Sequence, residues 1–130
     1  MNDIYLPANQ GLPEIDFRFS RHRLRLSGHS FSSNPAAFYA PLNAAMMSYL
    51  GRTRSDRIHV ELQPDGFDLP SQQVLRAMMG MLDRASLLGN EVRVVWQHAP
   101  EDLLARDLGL DMLEDCIALS GEVRVARRRS

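Results

Sequence analysis

At 130 residues, the chain has the length of one domain, and a domain of this size can bury a core without disulfides or a structural metal. Its 45% hydrophobic and 24% charged residues exclude a disordered or fibrous protein. The net charge of −1 gives no general attraction to nucleic acid or to anionic membranes. We therefore expect neither nucleic acid nor a membrane as a partner.

The N-terminal residues, the lengths of the apolar stretches and the single cysteine indicate where the protein is located. Residues 1–7 carry neither the basic nor the apolar region of a secretory signal. No apolar stretch reaches the roughly 18 residues that span a bilayer, and the lone Cys116 allows no internal disulfide. These features predict a soluble cytoplasmic protein with one domain over residues 1–130, of which 126–130 form a frayed basic tail.

The first predicted elements are two strands. Polar and apolar residues alternate over Glu14–Phe19 and again over Arg23–Gly28, as they do in half-buried strands. The short polar link Ser20–His22 between them predicts a hairpin.

A helix and a further strand follow. From Asn34 to Leu50 the apolar residues recur at spacings of three and four, which indicates one face of a helix capped by Ser33 or Asn34. Arg57–Leu62 alternates again as a strand, and Pro64–Gly66 predicts a turn after it.

The rest of the chain repeats this order. A second helix presents Leu75, Met78, Met79, Leu82 and Ala85 to the core and stops at 89–90. Residues 91–96 are rich in β-branched side chains and predict a strand. A short helix is predicted to begin at 100–101. Residues 117–125 predict a last strand that is interrupted near 121.

This order of elements predicts the fold class. Strands separated by helices need crossover connections, so part of the sheet is parallel and is packed with helices. The prediction is a single-domain α/β fold with a mixed β-sheet and an antiparallel hairpin at its N-terminal edge.

The sequence lacks a recognisable catalytic or metal-binding constellation. The four histidines are scattered without helical i, i+4 spacing, and a zinc site needs three or four converging ligands, so we expect no metal and no cofactor. Glu114 and Asp115 precede Cys116 and would raise its thiol pKa, which makes it a poor nucleophile. No phosphate-binding loop, dinucleotide fingerprint or nucleophile elbow is present.

The junction between the third predicted strand and the second helix contains a serine that could have a functional role. Ser71 falls in the first turn of the second helix, where free N–H groups and partial positive charge favour an added phosphate. The alternative is an ordinary first-turn serine beside an N-cap at Asp68 or Leu69, with Pro70 at the first helical position. From the residues alone, the second interpretation is favoured.

Several fragments together resemble the SiaC family of bacterial biofilm-regulation phosphoproteins. Ile4–Ala8 is similar to the start of that family, Leu26–Asn34 to its "I-x-G-x-S-Y-P-E-N" segment, and Ala37–Leu42 to its "F-Y-x-P-L" segment. Val94–Trp96 is similar to its "v-x-W" strand. The order and spacing of the fragments make the resemblance fairly specific, and it implies a fold like that of the STAS (SpoIIAA-like) anti-anti-sigma-factor domains.

The resemblance also implies a functional segment. The family's "Y-F-N-T-S-S-S-K" corresponds to Phe67–Gln73, here termed the switch segment. Its phosphorylated threonine falls on Leu69, the next serine on Pro70 and the lysine on Gln73, so that Ser71 is the only candidate phosphosite. The switch segment residues are Phe67, Asp68, Leu69, Pro70, Ser71, Gln72 and Gln73.

A second family-motif surface follows from the same resemblance, and it comprises Asn34 and Tyr39. The resemblance implies a non-enzymatic adaptor in a partner switch. Such an adaptor binds and stimulates a diguanylate cyclase, and a kinase and a PP2C-type phosphatase set its state. With leucine at the phosphate position, the adaptor is expected to be fixed in the unphosphorylated state, to be regulated at Ser71, or to have lost its regulation.

Two other functions stay open. A small enzyme would assemble Asp68, Ser71 and one histidine in space. A structural or self-assembling subunit would form a homodimer.

Overall fold

The computed structural model describes residues 2–126 of the chain. An N-terminal meander of three strands is followed by three helices that alternate with three further strands. The elements are β1 (Ile4–Leu6), β2 (Glu14–Arg18), β3 (Arg23–Ser30), α1 (Pro35–Arg52), β4 (Arg57–Phe67), α2 (Leu69–Leu87), β5 (Glu91–His98), α3 (Leu103–Glu114) and β6 (Ser120–Val125). The tail predicted at 126–130 lies outside the described residues from 127 onward.

The six strands form one mixed sheet in the order of the sequence, β1-β2-β3-β4-β5-β6. The first three strands pair antiparallel, and β3 to β6 pair parallel through the helical crossovers. The prediction of a mixed α/β sheet with an N-terminal hairpin is therefore confirmed. The link in the hairpin is a 3₁₀ turn over Phe19–Arg21 followed by His22 in the left-handed conformation.

All three helices cover one face of the sheet. Three successive right-handed crossovers in the same direction must place their helices on the same side. One continuous core joins the inward side chains of the strands with Met46 of α1, Leu82 of α2 and Met112 of α3. The opposite face carries charged residues, such as Arg25 between Glu14 and Glu61. None of the described helices is long and apolar enough to span a membrane.

The sequence analysis missed one strand and was wrong about a turn and about the start of the last strand. The strand β1 was not predicted, because three residues are too few to show a period. The turn expected at Pro64–Gly66 lies inside β4, which is a long strand. Pairing of β4 with β5 ends at Leu62, so the missing N–H of Pro64 interrupts no hydrogen bond on that side.

The last strand begins at Ser120 instead of Ile117, and Gly121 lies within it. A Cβ at Gly121 would stand 2.5 Å from a methyl group of Leu113, so glycine lets α3 pack closely on β6. The glycine that seemed to interrupt the strand is therefore a packing residue.

Candidate functional site

The switch segment lies where β4 ends and α2 begins. Phe67, the last residue of β4, pairs with Ser30, the last residue of β3. The carboxyl ends of parallel strands in open α/β sheets are the usual place for binding sites. The segment therefore occupies the edge of the sheet where a functional surface is expected.

Local hydrogen bonds fix the start of α2. The carboxylate of Asp68 accepts the N–H of Ser71 at 2.9 Å, so Asp68 is the N-cap and Leu69 the first helical residue. The N–H of Asp68 donates to the carbonyl of Ser30 at 2.9 Å. The side-chain amide of Gln72 donates to the carbonyl of Phe67 at the same distance. These bonds tie the helix start to the ends of both strands.

Three buried hydroxyl groups form a chain beneath the switch segment. Ser30 Oγ donates to Ser71 Oγ at 2.7 Å and lies 2.7 Å from the hydroxyl of Tyr39. Because Ser30 has one hydroxyl proton, the proton between it and Tyr39 comes from Tyr39. Burial raises the pKa of Tyr39 to about 12, so this donor stays protonated over the physiological range. The chain links α1, β3 and α2.

The burial of these residues changes two expectations. Ser71 is 0% exposed, so a kinase cannot reach its hydroxyl unless the first turn of α2 opens. Tyr39 is 2% exposed and belongs to the core, which corrects its assignment to a surface. Asn34 is exposed as expected, and its side chain caps α1 by accepting the N–H of Ala37.

The outward side of the switch segment consists of Leu69, Pro70 and Gln73. Leu69 is 71% exposed at the first position of the helix, where its side chain projects into solvent. An exposed leucine at the positive end of a helix provides an apolar contact point. It cannot carry a phosphate, because it has no hydroxyl group.

A groove of about 510 Å³ runs beside the switch segment, between Phe67 and Gln72 on one wall and α3 on the other. The α3 wall combines the exposed Leu104 with the carboxylates of Asp107 and Asp111. This groove extends the surface available to a partner beyond the segment itself.

The structure does not assemble the serine site that an enzyme would need. The hydroxyl of Ser71 has Ser30 as its hydrogen-bond donor, and the Asp68 carboxylate holds the backbone of the same turn. Of the histidines, the ring of His29 bonds the carbonyl of Asp65, and that of His22 bonds the hydroxyl of Tyr49. His59 contacts the carboxylate of Glu61, and His98 contacts the carbonyl of Ala99. Within residues 2–126, none of these four histidine contacts includes Ser71.

The remaining titratable groups do not suggest a metal or a reactive thiol. No group of three or more histidine, cysteine, aspartate or glutamate side chains within residues 2–126 is arranged to hold a metal ion. Burial raises the pKa of Cys116, and the charges of Asp83 and Asp115 raise it further. The thiol therefore lacks the thiolate character of a nucleophile.

The role of Ser30 was not predicted from the sequence. Its side chain and its carbonyl both hold the switch segment, although it lies 41 positions before Ser71. The only signal was its place in the fragment Leu26–Asn34. The hydrogen bonds that give it this role exist only after β3 and β4 have paired.

Comparisons with known proteins agree with this architecture. The sequence profile of a family of regulatory phosphoproteins matches residues 6–124, almost the whole chain. The chain belongs to that family, the SiaC family regulatory phosphoproteins. No curated protein sequence matches the chain.

Solved structures show the same fold. The crystal structure of apo-SiaC from Pseudomonas aeruginosa superposes with a TM-score of 0.88 at 18% identity, over 95% of this chain and 99% of that chain. A chain in the crystal structure of the diguanylate cyclase SiaD in complex with its activator SiaC, from the same organism, also gives a TM-score of 0.88 at 18% identity. That match covers 95% of this chain and 100% of the other. The fold is that of SiaC and is consistent with the STAS-like arrangement that the sequence implied.

Proposed function

We propose that this protein is a non-catalytic adaptor that binds and regulates a diguanylate cyclase through the switch segment. Membership of a regulatory phosphoprotein family supports an adaptor. The similar fold found beside a diguanylate cyclase, where SiaC is described as the activator, supports the class of partner. If a cognate kinase and a PP2C-type phosphatase also act on this end of α2, their only hydroxyl substrate within the switch segment is Ser71.

The observation that carries the proposal is the exposure of Leu69. The side chain projects from the first turn of α2, beside the free N–H groups of a helix start. A phosphorylated residue there would add about −1.5 to −2 charges to a docking surface. Leucine keeps the surface apolar and uncharged. The adaptor therefore stays in its partner-binding state, and no phosphatase is needed to remove a phosphate at this position.

Regulation through Ser71 would follow a different physical route. Its hydroxyl accepts a hydrogen bond from Ser30 inside the core, and a phosphate cannot fit there. Phosphorylation of Ser71 would have to open the start of α2 first. We therefore place partner docking on Leu69, Pro70 and Gln73 and assign Ser71 to holding the segment.

The test compares two leucine-to-glutamate variants at equivalent positions. Leu69 and Leu103 are both exposed first residues of a helix that follows an aspartate N-cap. Glutamate suits the first turn of either helix, so both variants should fold with stability close to wild type. Each protein is used as bait in cytosol from the source organism, and captured proteins are identified by mass spectrometry.

We expect wild type and Leu103→Glu to capture a diguanylate cyclase, and Leu69→Glu to bind the purified cyclase about tenfold more weakly or worse. Cyclic-di-GMP production by that cyclase should rise with wild type and not with Leu69→Glu. Capture of the cyclase by all three proteins with equal affinity would refute docking at the switch segment. The absence of a cyclase from the wild-type capture would refute the class of partner.

A further inference from the structure

The outer surface of α1 is unusual for a helix that faces solvent. From Pro35 to Gly51 it contains no charged residue, whereas about a quarter of the residues in a soluble domain are charged. Its exposed positions are all small or apolar or carry a hydroxyl, and they include Ala36, Ala40, Ala44, Met47, Ser48 and Gly51. Depletion of charge is the compositional mark of the buried centre of a protein interface.

The second half of this surface is a groove between α1 and α2. It has a volume of about 220 Å³, and Met47, Leu50, Gly51, Met81, Arg84, Ala85 and Leu88 line it. Met47 is 63% exposed and Leu88 is 73% exposed. Methionine side chains adapt to different partners, which suits a groove that another chain enters.

Gly51 lines the groove one residue before the end of α1. A Cβ built there would meet no atom within 4 Å, so the groove is open at this position. The absence of a side chain leaves room for a residue of a partner.

One arginine gives the groove a positive charge. Arg84 lines it, and the guanidinium group of Arg84 forms no hydrogen bond or ion pair within the described residues. Arg52, in the last turn of α1, lines a separate pocket with Tyr49 and Asp56. The cation of Arg84 is therefore available to a carboxylate of a partner.

We propose that the groove between α1 and α2 docks an amphipathic helix of the regulated partner, with its apolar face on Met47, Met81 and Leu88 and a carboxylate on Arg84. Apolar anchors at helical spacing lie in such grooves in known helix-in-groove complexes. The inference deepens the proposed function and rests on it in one respect, that the domain acts by docking a protein. The groove lies at the end of α2 opposite to the switch segment, so the two surfaces can be tested separately.

The test uses two synthetic helical peptides of about 18 residues, or five turns. They share one leucine face, and their polar face carries either glutamate or lysine. The full chain, labelled with ¹⁵N, is titrated with each peptide and the amide shifts are mapped. Arg84→Glu reverses the charge in the groove, and Arg106→Glu makes the same change on the exposed surface of α3.

We expect the glutamate peptide to shift amides of α1 and α2 around the groove and to bind about tenfold more tightly than the lysine peptide. Arg84→Glu should weaken the glutamate peptide about tenfold, as removal of a close charge pair does, while Arg106→Glu leaves it within about twofold. Failure of the glutamate peptide to bind, equal binding of both peptides, or shifts outside the groove would overturn the inference. Because the peptides replace the native partner, these results stand apart from the cyclase capture that tests the proposed function.

Discussion

At the scale of single residues, Ser30 and Leu69 have different roles at the switch segment. Ser30 holds the segment from within, through its carbonyl and its hydroxyl. Leu69 projects outward, on the surface where we propose that the partner docks. The residue that resembles a phosphosite in the sequence, Ser71, belongs to the inner set, because helix geometry turns the third residue of α2 toward the sheet.

Because Tyr39 belongs to the chain of buried hydroxyls, the free energy of unfolding should fall at alkaline pH. Burial raises the pKa of Tyr39 to about 12, above its usual value near 10. Ionisation of the unfolded chain above pH 10 therefore favours unfolding until the folded tyrosine also ionises near pH 12. By pH 11.5 this group alone should cost the wild type about 2 kcal/mol of unfolding free energy.

The variant Tyr39→Phe should lose less stability than the wild type between pH 9 and 11.5, measured by urea unfolding. Burial also raises the pKa of Tyr49, so part of the alkaline loss should remain in the variant. At pH 7 the variant should be less stable by about 1 kcal/mol, because Ser30 loses its donor. Equal alkaline losses in the two proteins would show that Tyr39 is not shielded from solvent.

At the scale of elements, the carboxylate of Asp83 connects α2 to the loop that leads into β6. It accepts the N–H groups of Ile117, Ala118 and Leu119 at 2.8–3.2 Å. Burial raises the pKa of Asp83, but these three N–H groups lower it more, so that the pKa lies below its usual value. These bonds explain why β6 begins at Ser120, since the preceding N–H groups are already occupied.

Replacement of this carboxylate tests that connection. Asp83→Asn should lower the unfolding free energy at pH 7 by about 1 kcal/mol, because hydrogen bonds to a charged acceptor are roughly twice as strong as neutral ones. A depressed pKa stabilises the folded state above the unfolded pKa of about 3.9, and this contribution is lost as pH falls through the folded pKa. The difference between variant and wild type should therefore shrink below pH 4.

Asp107→Asn provides the matched control, since Asp107 is exposed on α3 and, among residues 2–126, forms an ion pair with the neighbouring Arg106 alone. This control should change the unfolding free energy by less than about 0.5 kcal/mol. If the two variants behaved alike in chemical denaturation, the loop would not depend on the carboxylate of Asp83.

At the scale of the whole molecule, one sheet with all helices on one face produces two different surfaces. The helical side presents the switch segment and the α1–α2 groove, the two surfaces at which we propose that proteins dock. The sheet side presents paired charges, such as Arg93 with Glu122. Such pairs add little stability but keep the open face hydrated.

This architecture also predicts how the protein unfolds. One core joins all three helices to the sheet, so we propose that residues 1–130 form one cooperative unit. The fluorescence of the buried Trp96 and the far-ultraviolet circular dichroism should give the same midpoint in urea. Separate midpoints for the two signals would indicate two independently folding parts.

The sequence by itself determined most of the fold and little of the site. Alternation over Arg23–Gly28 and helical spacing over Asn34–Leu50 are local patterns, and the side of each element that meets the core follows from them. The N-cap of α2 is determined by a few neighbouring residues. Asp68 was one of the two predicted candidates, with Leu69, and it is the N-cap in the structure. These features survive because local chemistry is enough to specify them.

Only the tertiary structure decided which residues of the switch segment face outward. The direction of Ser71 depends on how α2 rotates against the sheet, and that rotation is set by core contacts of Leu75 and Met78 with distant strands. Ser30 supplies the hydrogen-bond partners of the Ser71 hydroxyl and of the Asp68 N–H. It lies close to them only because β3 pairs with β4. Contacts between residues far apart in the chain leave no periodic trace in the sequence, so the buried serine and the exposed leucine could be told apart only in the folded molecule.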